Sequence, residues 1–120
     1  MDPIRVGCAT ASESTAGHII HLDSVPVYLP DGSKFGDLTM ITNTRCSTSW
    51  GVVVGPVGPN RKVYVVARRP ADHAVTISWY AGTYTSTYGW ELSTAPGCVY
   101  IEAYVQTPTG NGPTARTQCL

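Results

Sequence analysis

Hydrophobic and polar residues alternate along much of this chain with a period of two, the spacing of strands that bury one face. Leu38 and Met40 alternate with Thr39 and Ile41, and Trp50, Val52 and Val54 then share a face. Residues 62–68 (KVYVVAR) are rich in β-branched side chains, as strands are. Val75, Ile77 and Trp79 alternate with Thr76, Ser78 and Tyr80. Val99, Ile101, Ala103 and Val105 form a last inward row before a turn near residues 108–112 and a closing segment, 114–120. No window carries the 3.6-residue period of an amphipathic helix.

Turn residues punctuate these runs: Pro30-Asp31-Gly32, Gly55-Pro56, Gly58-Pro59-Asn60 and Ala81-Gly82. Seven or eight short strands, broken this often, predict an all-β fold: an antiparallel β-sandwich or barrel forming a single domain over residues 1–120. Residues 1–23 are expected to act as a flexible N-terminal leader, since 9–17 (ATASESTAG) are small and polar. No stretch approaches the roughly 20 apolar residues of a membrane span. Lys and Arg number 8, as do Asp and Glu, so the net charge is zero and the basic footprint of a nucleic-acid binder is missing. Charged residues make up only 13%, with seven Tyr and three Trp, a balance typical of extracellular β proteins.

The four cysteines, Cys8, Cys46, Cys98 and Cys119, are far apart, with no C-x-x-C pair and no Cys/His cluster. That spacing predicts structural disulfides in an exported domain, with the signal peptide absent ahead of Met1-Asp2-Pro3. Three connectivities are open. A hairpin centred near Pro108 and Thr109 sets Cys98 opposite Cys119, within reach of a disulfide. Cys8 then pairs with Cys46 by elimination. The same register puts Arg116 on the face of Ile101, which calls for a bulge or an edge position.

The segment Gly36-Asp37-Leu38, through Arg45-Cys46, to Trp50-Gly51 resembles the strand, cysteine and tryptophan signature of the YjfA-like family of small exported bacterial proteins. Residues 89–97 (GWELSTAPG) and the run to Cys119-Leu120 are similar to that family's final strands and terminal cysteine. The resemblance covers roughly residues 36–120, with Cys98 lacking a family counterpart. It implies an actinobacterial-type exported domain with no enzymatic activity, suited to an adaptor role in larger secreted, toxin-like assemblies.

His18, His21 and Asp23 have the only metal-like spacing, but an extended strand turns the two histidines to opposite faces, and His73 is the sole further histidine. Neither metal nor cofactor is expected. There is no G-x-S-x-G, H-E-x-x-H or phosphate-cradling loop, and the carboxylate pairs Asp31 with Asp37 and Asp23 with Glu91 are the chance pairings of eight scattered acids, so no enzyme is expected. Arg61, Lys62, Arg68 and Arg69 bracket one strand and read as solvated edge charges.

The candidate binding residues are Tyr80, Tyr84, Tyr88 and Trp90, which share a parity and would form one aromatic face on an unbroken strand. The competing reading is that these rings line the core, or that Ala81-Gly82 scatters them. The function expected is a secreted, non-catalytic adaptor that binds another protein through this face and through the turns at residues 30–36 and 55–60. A carbohydrate-binding module using the same rings is the alternative from another class. A small protease inhibitor presenting a rigid turn is a third reading.

Overall fold

A computed structural model of the chain describes residues 19–44, 47–55, 61–81 and 86–120. The fold is all-β: two antiparallel five-stranded sheets packed face to face as a sandwich. The first sheet holds β1 (Ile19–Tyr28), β2 (Lys34–Asn43) and β3 (Thr48–Val54) in order, and β3 then pairs with both β6 (Ser86–Tyr88) and β7 (Leu92–Ser93). In the second sheet β5 (Ala74–Tyr80), β4 (Lys62–Arg69) and β8 (Tyr100–Thr107) lie side by side. Its far edge is made by β9 (Gly110–Asn111) and β10 (Ala115–Arg116), both paired with β8. The ten described strands exceed the seven or eight expected because β7, β9 and β10 are two-residue pairings with no alternation long enough to read.

The alternation read from the sequence sets the core. Val27, Leu38, Met40 and Val53 face inward from the first sheet, against Val63, Val65, Ile101, Ala103 and Val105 of the second. Trp50 and Val52 lie on the opposite face of β3 and form a second buried cluster with Ile41. Strand β1 begins at Ile19, so residues 19–23 are strand and not the end of a leader; residues 1–18 lie outside the described residues. Pro26 sits within β1, which is tolerated because β1 is an edge and no ladder needs its missing N–H.

Cys98 and Cys119 are joined, the expected pair, with Cα atoms 5.3 Å apart. They meet diagonally and not directly opposite, since Val99 and Leu120 exchange both backbone bonds. The bulge is there too. Asn111 pairs with Gln106, but Ala115 pairs with Ala103, a register shift of one residue. The shift moves Arg116 off the inward face of Ile101 and sets it opposite Glu102, on the outer surface. The expected Cys8–Cys46 bridge lies outside the described residues.

Side chains close the two open flanks of the sandwich. On one, the Gln118 N–H donates to Asp23 Oδ2 at 3.0 Å. On the other, Thr76 Oγ1 donates to the Trp90 carbonyl at 3.0 Å, and the Trp90 N–H donates to Ser78 Oγ at 2.9 Å. Arg69 Nη1 reaches the Ser93 carbonyl at 2.7 Å while its Nε and Nη2 grip both oxygens of Asp72, at 2.9 and 2.7 Å. That fork holds the Asp72 carboxyl down at about 2, below its ordinary value.

A depressed carboxyl pKa stabilises the native state above the unfolded value, and the contribution disappears as pH falls through the folded value. Asp72→Asn is therefore expected to lower the melting temperature at about pH 5, with the gap to wild type closing as pH approaches about 2. Thermal unfolding followed by circular dichroism across that range reads the effect. A gap that persists unchanged at the acid end would mean Asp72 acts through something other than its charge.

Candidate functional site

The site is the outer face of the second sheet, and its strangest strand is β5. The residues of β5 that face inward are Thr76, Ser78 and Tyr80, whose partners on β4 are Ala67, Val65 and Val63. Inward polarity here has a use: Thr76 and Ser78 hold the chain at Trp90 and so tie the two sheets together. The consequence follows from the two-residue period, because the apolar half of the strand must then point outward. Val75, Ile77 and Trp79 do so, at 46%, 59% and 58% exposure.

These residues continue into rows across the sheet. Trp79 stands opposite Tyr64, which stands opposite Tyr104. Ile77 is followed by Val66, Glu102 and Arg116, and Val75 by Arg68 and Tyr100. Tyr64 and Tyr104 stack with ring centroids 4.7 Å apart and planes inclined by 10°. Strands in a sheet are about 4.8 Å apart, so two rings stacked at that separation on neighbouring strands must stand upright, with their edges outward. The Tyr64 hydroxyl donates to Gln106 Oε1 at 3.4 Å. Burial, and next to it Tyr64, push the Tyr104 hydroxyl up, so it stays a neutral donor in the physiological range.

Charge on this face is ordered around one carboxylate. Glu102, largely buried, accepts from Arg68 Nε and, at 3.1 Å, from Arg116 Nη2. The Arg116 guanidinium lies 5.0 Å from the Tyr100 ring centroid, and Lys62 Nζ lies 4.9 Å from that of Trp79. Such contacts fix the cations in place over the rings.

The residues proposed from sequence do not share a face. Tyr80 turns inward from β5 and packs against the core. Tyr88 is on the outer face of the other sheet, opposite Val52, and is 44% exposed. Trp90, 43% exposed, follows on the connection to β7. Tyr84 lies outside the described residues. Shared parity aligns side chains only along one strand, whereas the chain changes sheets between β5 and β6. The turn at residues 30–36 closes the β1–β2 hairpin, with Gly32 at φ 87° and Asp31 bonded to Ser33; most of the 55–60 turn lies outside the described residues.

Contrary to the expectation from sequence, Arg61, Lys62, Arg68 and Arg69 do not flank an edge strand, because β4 lies inside its sheet. The edge strand is β5, which carries no charged residue. The carboxylates Asp31 and Asp37 are engaged separately, by Ser33 and by Lys34 at 3.2 Å. Among the described residues, no three His, Cys, Asp or Glu side chains gather as metal ligands. No helix of the described chain is long and apolar enough to cross a membrane.

Sequence reading missed Tyr64, Tyr104 and Tyr100. Its available signal was the row Val75, Ile77, Trp79 facing a polar row, which allows either face to be the buried one. No family model, no curated protein and no solved structure matches the chain, so its function has to be argued from the chemistry of this one face.

Proposed function

We propose that the protein is a non-catalytic, exported binding domain that engages another protein through the outer face of its second sheet. The observation that carries this reading is the exposure of Val75, Ile77 and Trp79 together on an uncharged edge strand, continuous with the stacked tyrosines. Exposed aromatic and aliphatic rows flanked by arginine have the composition of protein-interface cores. A lone exposed Leu or Val is ordinary, but a contiguous apolar row is not.

The geometry favours a protein over a sugar. Carbohydrates stack on rings that lie flat and offer a face, whereas Tyr64 and Tyr104 offer edges and hydroxyls. Trp79 and Tyr100 each have a cation against one face already. The Cys98–Cys119 bridge is compatible with an oxidising compartment. Likeness to the YjfA-like exported family and service as an accessory subunit of a larger secreted assembly belong to the same proposal.

A photo-crosslinking amino acid placed at position 77 tests it in the protein's own secretion medium. A discrete protein adduct is expected at position 77 and not at Ser24, which is exposed on the other sheet. Trp79→Ala should reduce the adduct at least about 30-fold, the size of a hot-spot truncation, with the melting temperature nearly unchanged. Recovery of the domain alone, or a glycan-array signal lost with Tyr88→Ala instead, would overturn the proposal.

A further inference from the structure

We infer that the partner's matching surface is acidic: a protein segment presenting carboxylates beside aliphatic or aromatic side chains. The inference rests on the reading of this face as a protein-binding surface. Lys62, Arg68 and Arg116 supply three cations here against the single carboxylate of Glu102, on a chain whose overall charge is zero. The side chains of Arg68 and Arg116 are 45% and 63% exposed. Each reaches Glu102 through one nitrogen, Nε of Arg68 and Nη2 of Arg116. A guanidinium has five N–H donors in a fixed fork, so both arginines keep donors directed away from Glu102.

An apolar partner alone would cover these cations without compensation, and burying an unpaired charge is strongly unfavourable. Carboxylates from the partner remove that penalty and give the apolar row its neighbour. Edge protection does not account for the cations as a set, since Lys62 and Arg68 sit on β4, inside the sheet, and the edge strand β5 carries none, which leaves only Arg116, on β10, at an edge. The same face of a second copy would set like charges together. Two net charges on a flat strand surface attract an anionic bilayer only weakly.

The test pans a phage library of random 16-residue peptides against the full, oxidised chain and measures the selected peptides by fluorescence anisotropy. Enrichment of Asp and Glu beside Tyr, Phe, Leu or Ile is expected. Affinity should fall at least tenfold with Lys62→Glu, with Arg116→Gln, and between 50 and 500 mM salt. Because Lys62 is exposed, Lys62→Glu reads charge with the fold intact. Neutral or basic peptides that need Trp79 but ignore Lys62→Glu would overturn the acidic inference and leave the face reading standing. Peptides indifferent to Trp79→Ala, or no peptides at all, would sink both. A Trp79-dependent dimer in sedimentation, or binding to vesicles with 30% phosphatidylserine in place of peptides, would also overturn it.

Discussion

Replacing Cys98 and Cys119 together by serine is expected to lower the unfolding free energy by about 3 kcal/mol. The bridge spans 21 residues, and closing a loop of that length in the unfolded chain removes conformational entropy worth about that much at room temperature. The native side of the balance agrees. Strand β10 has only two residues, and beyond it the C-terminal segment is held by a few bonds: Thr117 N–H to the Ile101 carbonyl at 2.9 Å, and the Val99 and Leu120 backbones to each other at 3.2 and 3.0 Å. Without the staple those bonds fray together, and Val99 and Ile101, both fully buried, lose their cover. Urea titration of the double variant against the oxidised protein reads the loss, and hydrogen exchange at Thr117 and Leu120 places it. A change below about 0.5 kcal/mol would mean that the unfolded chain is already compact around this hairpin. The double variant is the right one, since a single serine leaves a reactive thiol behind.

The same bridge marks how far sequence can carry a structure. The Cys98–Cys119 pair was legible because a hairpin brings its two strands together locally. The misfit at Arg116 called for a bulge or an edge position, of which the bulge between Asn111 and Ala115 is found and leaves the two cysteines diagonal to each other. Ile101, Ala103 and Val105 were legible as core because they sit on a strand long enough to show its period, whereas Val63 lies in a run read as strand from its β-branched content alone. The candidate site was less so. Tyr64 and Tyr104 are 40 residues apart, and only the β4–β8 register brings them together. Tyr80 and Tyr88 have matching parity, which means nothing once they belong to different sheets. Trp79 was hidden for a different reason. Hydrophobicity assigns the apolar row of a strand to the core, and β5 reverses that assignment because Thr76 and Ser78 are needed inside, at the flank. A reversed strand of this kind is evidence about function, since local consistency is given up where a surface has another use.

Gly51→Ala is the other substitution expected to act strongly, at about 2–3 kcal/mol or more, although alanine suits a strand better than glycine does. Gly51 lies on the inward face of β3, between Trp50 and Val52, which point the other way. A Cβ built there would stand 2.4 Å from Ile101 Cγ2, 3.0 Å from Val65 Cγ1 and 3.2 Å from Leu38 Cδ1. The nearest of these is a methyl on the branched carbon of isoleucine, which moves only with a χ1 change or with the backbone. Nor can β3 retreat freely. The Gly51 carbonyl accepts the Gly89 N–H at 2.7 Å, and Gly89 is itself pressed against Val65, where a Cβ would lie 2.6 Å from Cγ1. Two glycines thus let the sheets meet across β3 and β4 at a spacing that side chains would not allow, as glycine within a strand often signals. The cause can be separated from a general intolerance by a double-mutant cycle. Ile101→Ala alone should cost about 2–5 kcal/mol through the cavity it leaves. Combined with Gly51→Ala it should cost clearly less than the two effects summed, because the new methyl occupies part of the space that the old one vacated. Additive losses would show that the conflict lies in the backbone of β3 and not in its contact with Ile101.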